Sequence, residues 1–355
     1  MIEHDIWFST LKLSNQTKNN LIKYYKDPNN LWDALSQGDL VYKQLKNILI
    51  DSWDDKKINF IKDIIIKSNI KITTYNKENY PSKLRLYDDS PVVLYYYGNI
   101  DMLNTRTNVS IVGSRKNSIY GTNVTKLISK ELAINDINII SGLAKGIDTY
   151  AHSTCIENDG FTCAVLGCGI DIIYPKENKI LYEDMKFKGV ILSEFPPGTQ
   201  PYAYNFPIRN RIISQLSDLV IIVEAGIKSG SLITANLALE QGIDVMAVPG
   251  SIFSEQSKGC NKIIRDGAYP LTSIEDVFEL LKTNYIHTGN NSYTLNPSEK
   301  KIHELINDSP IHIDDIIKIA NIDIKQLYEV LFELQLKNEI MCLSGNYYVK
   351  NIKEI

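Results

Sequence analysis

Apolar and polar positions along the chain change rhythm twice. Over 9–68, Leu11, Leu13, Leu21, Ile22, Leu31, Trp32 and Leu35 recur at helical spacing, broken at Asp27-Pro28-Asn29, which predicts short amphipathic helices. A small helical domain is therefore expected over 1–70, with no catalytic residue apparent in it. Over 70–99 the pattern becomes extended. Turns at Asn79-Tyr80-Pro81 and Asp89-Ser90-Pro91 precede an aromatic run, 92–97, that ends at Gly98-Asn99, and this stretch reads as an extension on the edge of the next domain.

From 109 onward, uninterrupted apolar runs alternate with helical patterns. Strands are expected at 109–112, 137–140, 162–166, 190–193, 219–224 and 245–248, and helices beginning near Gly121, Lys145, Lys176, Pro207 and Ser231. Runs without polar alternation read as strands buried on both faces, hence a parallel sheet. The prediction for 71–285 is an α/β fold, a Rossmann-like doubly wound parallel sheet, with ligands at the carboxyl ends of its strands. Those ends carry GSRKNSIYG, SGLAKGID, GCGIDIIYP, SEFPPG, EAGIKSGS and PGS, all expected on one rim. An uncharged stretch rich in Asn, Gly, Ser and Thr marks a linker, 286–297. Beyond it, helices at 298–306, 313–319 and 323–337 and a hairpin at 339–349 suggest a winged-helix-like domain over 298–355. Its third helix carries Asp323, Glu329 and Glu333 against Lys325 and Lys337. Acids facing phosphates oppose docking on DNA, so a protein-contact or spacing role is expected for this domain.

Composition narrows the class. At 355 residues two or three domains are expected, and 44% hydrophobic with 23% charged residues is ordinary for a globular protein. No apolar run reaches transmembrane length, and MIEHDIWFST lacks a basic segment followed by an apolar one. Neither a membrane span nor a signal peptide is expected, and the cytoplasm is the default. The five cysteines include no CxxC pair, which favours reduced buried thiols over disulfides or zinc. Net charge is −4, and no part is broadly basic: 1–106 holds 15 Lys+Arg against 13 Asp+Glu, 107–285 holds 16 against 19, and 298–350 holds 6 against 9. Any phosphate site must be a local cluster.

Such a cluster is suggested by the rim turns. Gly113, Ser114 and Arg115 close the first strand; an arginine there faces the ligand rim and suits bidentate phosphate contacts. The turn is not GxGxxG, and no GKS or GKT phosphate loop occurs, so no cofactor is expected. Lys145 and Gly146 lie at the next turn, where a cation near a helix start is explained by an anionic ligand. Lys176 sits in a third turn. Phe206 offers a ring for base stacking beside Arg209, Asn210 and Arg211. One of those two arginines is expected in an internal ion pair with Glu224 or Glu194. Ser229, Gly230 and Ser231 form a turn at a helix N-terminus that favours anions, and Lys262 extends the patch. Asp148 and His152 stand at i,i+4 without a third metal ligand, which points to a structural contact. Glu194 and Glu224 are the acid pair a hydrolase reading would need.

Taken together, these motifs resemble the DprA/Smf family of DNA-processing proteins of bacterial natural transformation. The matching residues are GSR with Tyr120-Gly121, SGLAKGID with Ala151-His152, LGCGIDIIYP, SEF, FPIRNRIISQLSD, VEAGIKSGSLITANLALEQG, AVPG and KGCNKIIRDGA, in unbroken order over 80–268. The resemblance implies a Rossmann-like core that binds single-stranded DNA in a basic pocket without catalysis. It also implies homodimers formed through the core, and transfer of incoming strands to RecA against single-strand-binding protein. Arg115, the Lys176 turn and FPIRNR match the family's DNA pocket. One departure is Ala203, Tyr204 and Asn205 before Phe206, where relatives carry a basic and then a large aromatic residue. Two other classes share the wider fold. Lysine-decarboxylase-like nucleoside-monophosphate ribohydrolases place PGGxGTxxE where this chain has KSGSLITA, without the catalytic glutamate. A nucleotide-sensing core signalling through the winged helix is the other.

Overall fold

The uninterrupted apolar runs assemble into one mixed sheet in a computed structural model that describes residues 2–286, 295–337 and 339–351. Its strands are β1 (Lys71–Thr74), β2 (Val93–Gly98), β3 (Asn108–Val112), β4 (Asn138–Ser141), β5 (Thr162–Leu166), β6 (Val190–Ser193), β7 (Leu219–Ile222), β8 (Asp244–Ala247) and β9 (Tyr269–Pro270), in the order β1-β2-β6-β5-β4-β3-β7-β8-β9. Pairing is parallel from β6 through to β9. Every residue of β3, β4, β5, β6 and β7 is buried, as expected of strands covered by helices on both faces. The aromatic run is β2, which pairs antiparallel with β6 and carries β1 at the sheet's edge.

Strand order reverses direction at β3, which pairs with β4 on one side and β7 on the other. Connections leaving β3 and β7 therefore diverge to opposite faces and open a crevice between their carboxyl ends, the position where doubly wound sheets take ligands. Two of the helix starts bear on the cleft. The helix Ile119–Ile134 begins two residues before Gly121, because the Ser118 hydroxyl caps the Gly121 N–H. The helix Ile147–Glu157 begins after Lys145, because Gly146 holds φ +81; Lys145 precedes the helix and does not sit within its first turn.

The N-terminal stretch forms the helices Ile2–Thr10, Asn15–Tyr25, Pro28–Gln37, Lys46–Asp51 and Asp55–Lys67. The break at Asp27-Pro28 is a helix start: the Asp27 carboxylate accepts the Asn30 N–H and Pro28 takes the first helical position. Ile6, Trp7 and Phe8 share a continuous apolar cluster with Tyr95, Tyr97 and Ile191. The helices are thus fastened to the β2–β6 side of the sheet.

A separate cluster built on Ile302, Ile316, Leu327 and Leu331 joins the helices Pro297–Leu305, Ile313–Ala320 and Ile324–Leu336. A three-stranded sheet of β10 (Ile311–His312), β11 (Ile340–Leu343) and β12 (Tyr347–Lys350), ordered β10-β12-β11, completes this winged-helix domain. On its third helix Ile324, Tyr328 and Phe332 are exposed one turn apart. Most of the expected linker, 286–297, and residues 352–355 lie outside the described residues.

Candidate nucleic-acid interface

The crevice at the switch point is an open cleft of about 740 Å³. Its floor and walls come from the turns after β3 and β7, the start of the helix Asn205–Gln215, and Tyr174. Arg115 and Lys116 leave the β3 end exposed to solvent, and Lys228 rises from the β7 turn opposite them. Among the described residues no carboxylate forms an ion pair with Arg115, Lys116 or Lys228, whereas Lys145, Lys186, Lys258 and Lys262 are each paired with a carboxylate. The Arg115 guanidinium lies 5.4 Å from the centroid of the Phe206 ring. Tyr174 stands 5.6 Å from the same ring, tilted by 42°. A half-exposed ring with a planar cation over it and a second ring alongside is a stacking seat for a base.

Helical periodicity decides the fate of the FPIRNR cations. In the helix Asn205–Gln215, Phe206, Arg209, Asn210 and Ile213 line the cleft, while 211 and 212 do not. Arg209 and Arg211, both expected among the DNA contacts, are buried; Arg209 nonetheless lines the cleft, whereas Arg211 does not. Arg209 is 3% exposed; its Nη1 donates to the carbonyls of Gly142 (2.8 Å) and Val165, and its Nε donates to Asn210 Oδ1 (3.2 Å). Burial lowers its pKa to about 10, opposed by the adjacent Asp148, so it stays charged at neutral pH and adds a buried positive charge to the cleft lining. Arg211 turns away altogether. Its Nη2 donates to both carboxylate oxygens of Glu194 at 2.6 Å, the ion pair the sequence reading anticipates for one of the two. Asn15 Nδ2 donates to the same carboxylate from the N-terminal helices at 2.9 Å.

The remaining expected residues divide into cleft and surroundings. Gly113, Ser114, Asn210, Ser229, Gly230 and Ser231 all line the cleft. The helix Ser231–Glu240 points its N-terminus into it, with the Ser229 and Ser231 hydroxyls 2.8 Å apart. Gly146 acts from behind: a β-carbon there would collide with the Ser114 carbonyl and the Asn117 side chain, so its absence lets the β3 and β4 turns pack together. Lys145 pairs with Glu177 at 2.5 Å on the outer surface, beside exposed Lys176, and Lys262 pairs with Asp266 at 2.8 Å. None of these three lysines lines the cleft. Lys116, Lys228 and Tyr174 line it instead; each stands inside a rim turn, within two positions of an expected site residue.

The acids are held by internal partners, Asp148 within the cleft lining itself. Buried Glu224 accepts from the Ser118 N–H (2.8 Å) and hydroxyl (2.5 Å), anchoring the helix that follows β3. Asp148 accepts the N–H groups of Gly142 (3.1 Å) and Ala144 (3.3 Å), and burial raises its pKa against the pull of Arg209. His152 is buried against Thr162 Oγ1 at 2.6 Å, so its i,i+4 partner Asp148 and it serve separate structural contacts. Among the described residues no cluster of His, Cys, Asp and Glu could hold a metal, and no helix is long and apolar enough to cross a membrane.

Known proteins resemble the chain over most of its length. The family model for DNA recombination-mediator protein A matches residues 71–282, and that for the DprA winged helix domain matches 289–346. DNA processing protein DprA of Streptococcus pneumoniae is 46% identical over 198 residues, covering 56% of this chain and 70% of the relative. An X-ray structure of DprA from that organism superposes with a TM-score of 0.67 at 36% identity, over 79% of this chain and 97% of that one. Protein Smf of Escherichia coli is 32% identical over 361 residues, covering 98% of this chain and 96% of the relative. DNA processing protein A of Helicobacter pylori, whose structure concerns its single-stranded DNA binding mode, superposes with a TM-score of 0.55 at 31% identity, over 61% of this chain and 98% of that one.

Proposed function

The chain belongs to the DprA/Smf family, and from that premise we propose that it binds single-stranded DNA in the β3–β7 cleft and hands the strand to RecA. The observation that carries the reading is the unpaired Arg115 guanidinium over the Phe206 ring, 5.4 Å from its centroid. Phosphates sit on Arg115, Lys116, Lys228 and the Ser229–Ser231 turn, and a base stacks on Phe206. Backbone charge and stacking carry no base code, so binding is independent of sequence. A duplex offers no free base face to the ring, which gives the preference for single strands. Catalysis is not part of the role: the two glutamates that a ribohydrolase would need are held by Ser118 and Arg211. The protein acts in the cytoplasm as a homodimer through the core, which joins two clefts into one longer track.

Fluorescence anisotropy with labelled single- and double-stranded oligonucleotides tests this. Each neutralised phosphate contributes about 0.7 to the salt slope on single strands, so three free cations give a slope near about −2, and Arg115→Ala lowers its magnitude by about 0.7. Equal affinity for duplex, or an Arg115→Ala variant that binds unchanged, refutes the reading. Release of free base from a nucleoside monophosphate would favour the hydrolase. The mediator step is checked by RecA assembly on strands coated with single-strand-binding protein, which should start sooner when the protein is added.

A further inference from the structure

A second opening, about 430 Å³, lies between the helix Asp55–Lys67 and the loop that joins β6 to the helix Asn205–Gln215. That loop is a ridge between two depressions. Pro201 and Ala203 face the cleft, whereas Thr199, Tyr204 and Asn205 face the groove. The ridge is held in place: Gly169 N–H donates to the Thr199 carbonyl at 2.8 Å, and Gly198 N–H donates to Asp171 at 2.8 Å. On it stand Tyr202 and Tyr204, 50% and 65% exposed, with rings parallel to within 6° and centroids 5.4 Å apart. Across the groove Phe60 is 59% exposed, its ring resting over Gly198, whose φ of +87 and missing side chain make room for it. Lys57 is the one ionised side chain among the described residues lining the groove.

We propose that a strand bound in the cleft continues over the Tyr202–Tyr204 ridge into this groove, where Tyr204 and Phe60 stack bases and Lys57 meets a phosphate. The inference rests on the single-stranded DNA reading of the cleft and extends it to the N-terminal helices. Three exposed rings beside a lone cation, with no lining carboxylate, are the elements that bind single strands without sequence preference. The two depressions share the 199–205 loop as a common wall, so a strand that crosses it from the cleft enters the groove. The N-terminal helices thereby become part of the binding surface, and the occluded length exceeds what the cleft alone covers.

The test uses the full chain and oligothymidylates of about 4 and about 16 nucleotides, lengths spanning the range over which single-strand sites fill. Phe60→Ala and, separately, Lys57→Glu are compared with wild type and with Arg115→Ala. Both new positions are exposed, and equal melting temperatures verify folding. The expected result is about tenfold weaker binding of the long strand by Phe60→Ala, with the short strand unchanged; an iodouracil at one end of the long strand crosslinks to the Tyr204 or Phe60 region. Unchanged long-strand binding in both variants overturns the groove. Equal loss for both lengths overturns it too, since the side chains would then act through the cleft, and so would a loss of self-association in place of DNA affinity. If wild type binds neither length, or Arg115→Ala weakens neither, the cleft reading itself fails and the groove goes with it.

Discussion

Removing Glu194 would strand a guanidinium inside the protein. Arg211 is 7% exposed, both hydrogen bonds of its Nη2 end on Glu194 at 2.6 Å, and the nearest other carboxylate, Asp89, is 3.9 Å from its Nε. Its Nη1 has no protein partner. Lys18 lies close by, its ammonium pushed down to about 8 by burial while Glu194 pulls the other way. Breaking a buried pair by deleting one partner costs about 3–5 kcal/mol, whereas replacing both with apolar groups of similar size is close to neutral. Glu194→Leu is therefore expected to lose about 3–5 kcal/mol, and Glu194→Leu with Arg211→Met to recover most of it. Urea unfolding followed by tryptophan fluorescence reads this directly, because Trp7, Trp32 and Trp53 all lie among the N-terminal helices that contribute Asn15 to the pair. Because Arg211 faces away from the cleft, the double variant should bind single-stranded DNA within about 0.5 kcal/mol of wild type, as distant sites do. A loss below about 1 kcal/mol in the single variant would refute the ion-pair reasoning. A stable double variant with about tenfold weaker DNA binding would return Arg211 to the strand.

Two further outcomes follow from local geometry. A β-carbon at Gly167 would stand 2.8 Å from Phe206 Cδ1, so Gly167→Ala displaces the ring and should weaken single-strand affinity about tenfold in anisotropy titrations, with unchanged affinity counting against stacking on Phe206. Buried His152 has its pKa lowered to about 3 by burial, reinforced by Arg209. The unfolded chain binds that proton below about 6.5, so the folded state is fully favoured above that pH and loses stability as pH falls towards 3. Between pH 7 and 5 this amounts to about 2 kcal/mol. Urea midpoints at both pH values should show it, and His152→Asn should flatten the difference.

Family, sheet type and the rim of strand-end turns were legible from one-dimensional pattern. Apolar runs with no polar alternation require burial on both faces, and glycine-rich turns after them require a carboxyl-end site; 162–166 and 190–193 coincide with β5 and β6 for that reason. The motif GSR marked Arg115, and Phe206 followed from FPIRNR. What spacing along the chain cannot express is which side of an element each charge takes once packed. Arg209 and Arg211 are two residues apart, about 200° around a helix, so packing sets one in the cleft lining and sends the other to Glu194 on the far side. Lys145 and Lys262 found surface carboxylates, leaving Lys116 and Lys228 free only because no acid folds within their reach. The groove at Phe60 needed still more: it joins residue 60 to residue 204, and only the docking of the N-terminal helices on β2 brings them face to face. Local periodicity follows from backbone geometry and burial, whereas charge pairing and shared surfaces depend on contacts between residues far apart in sequence.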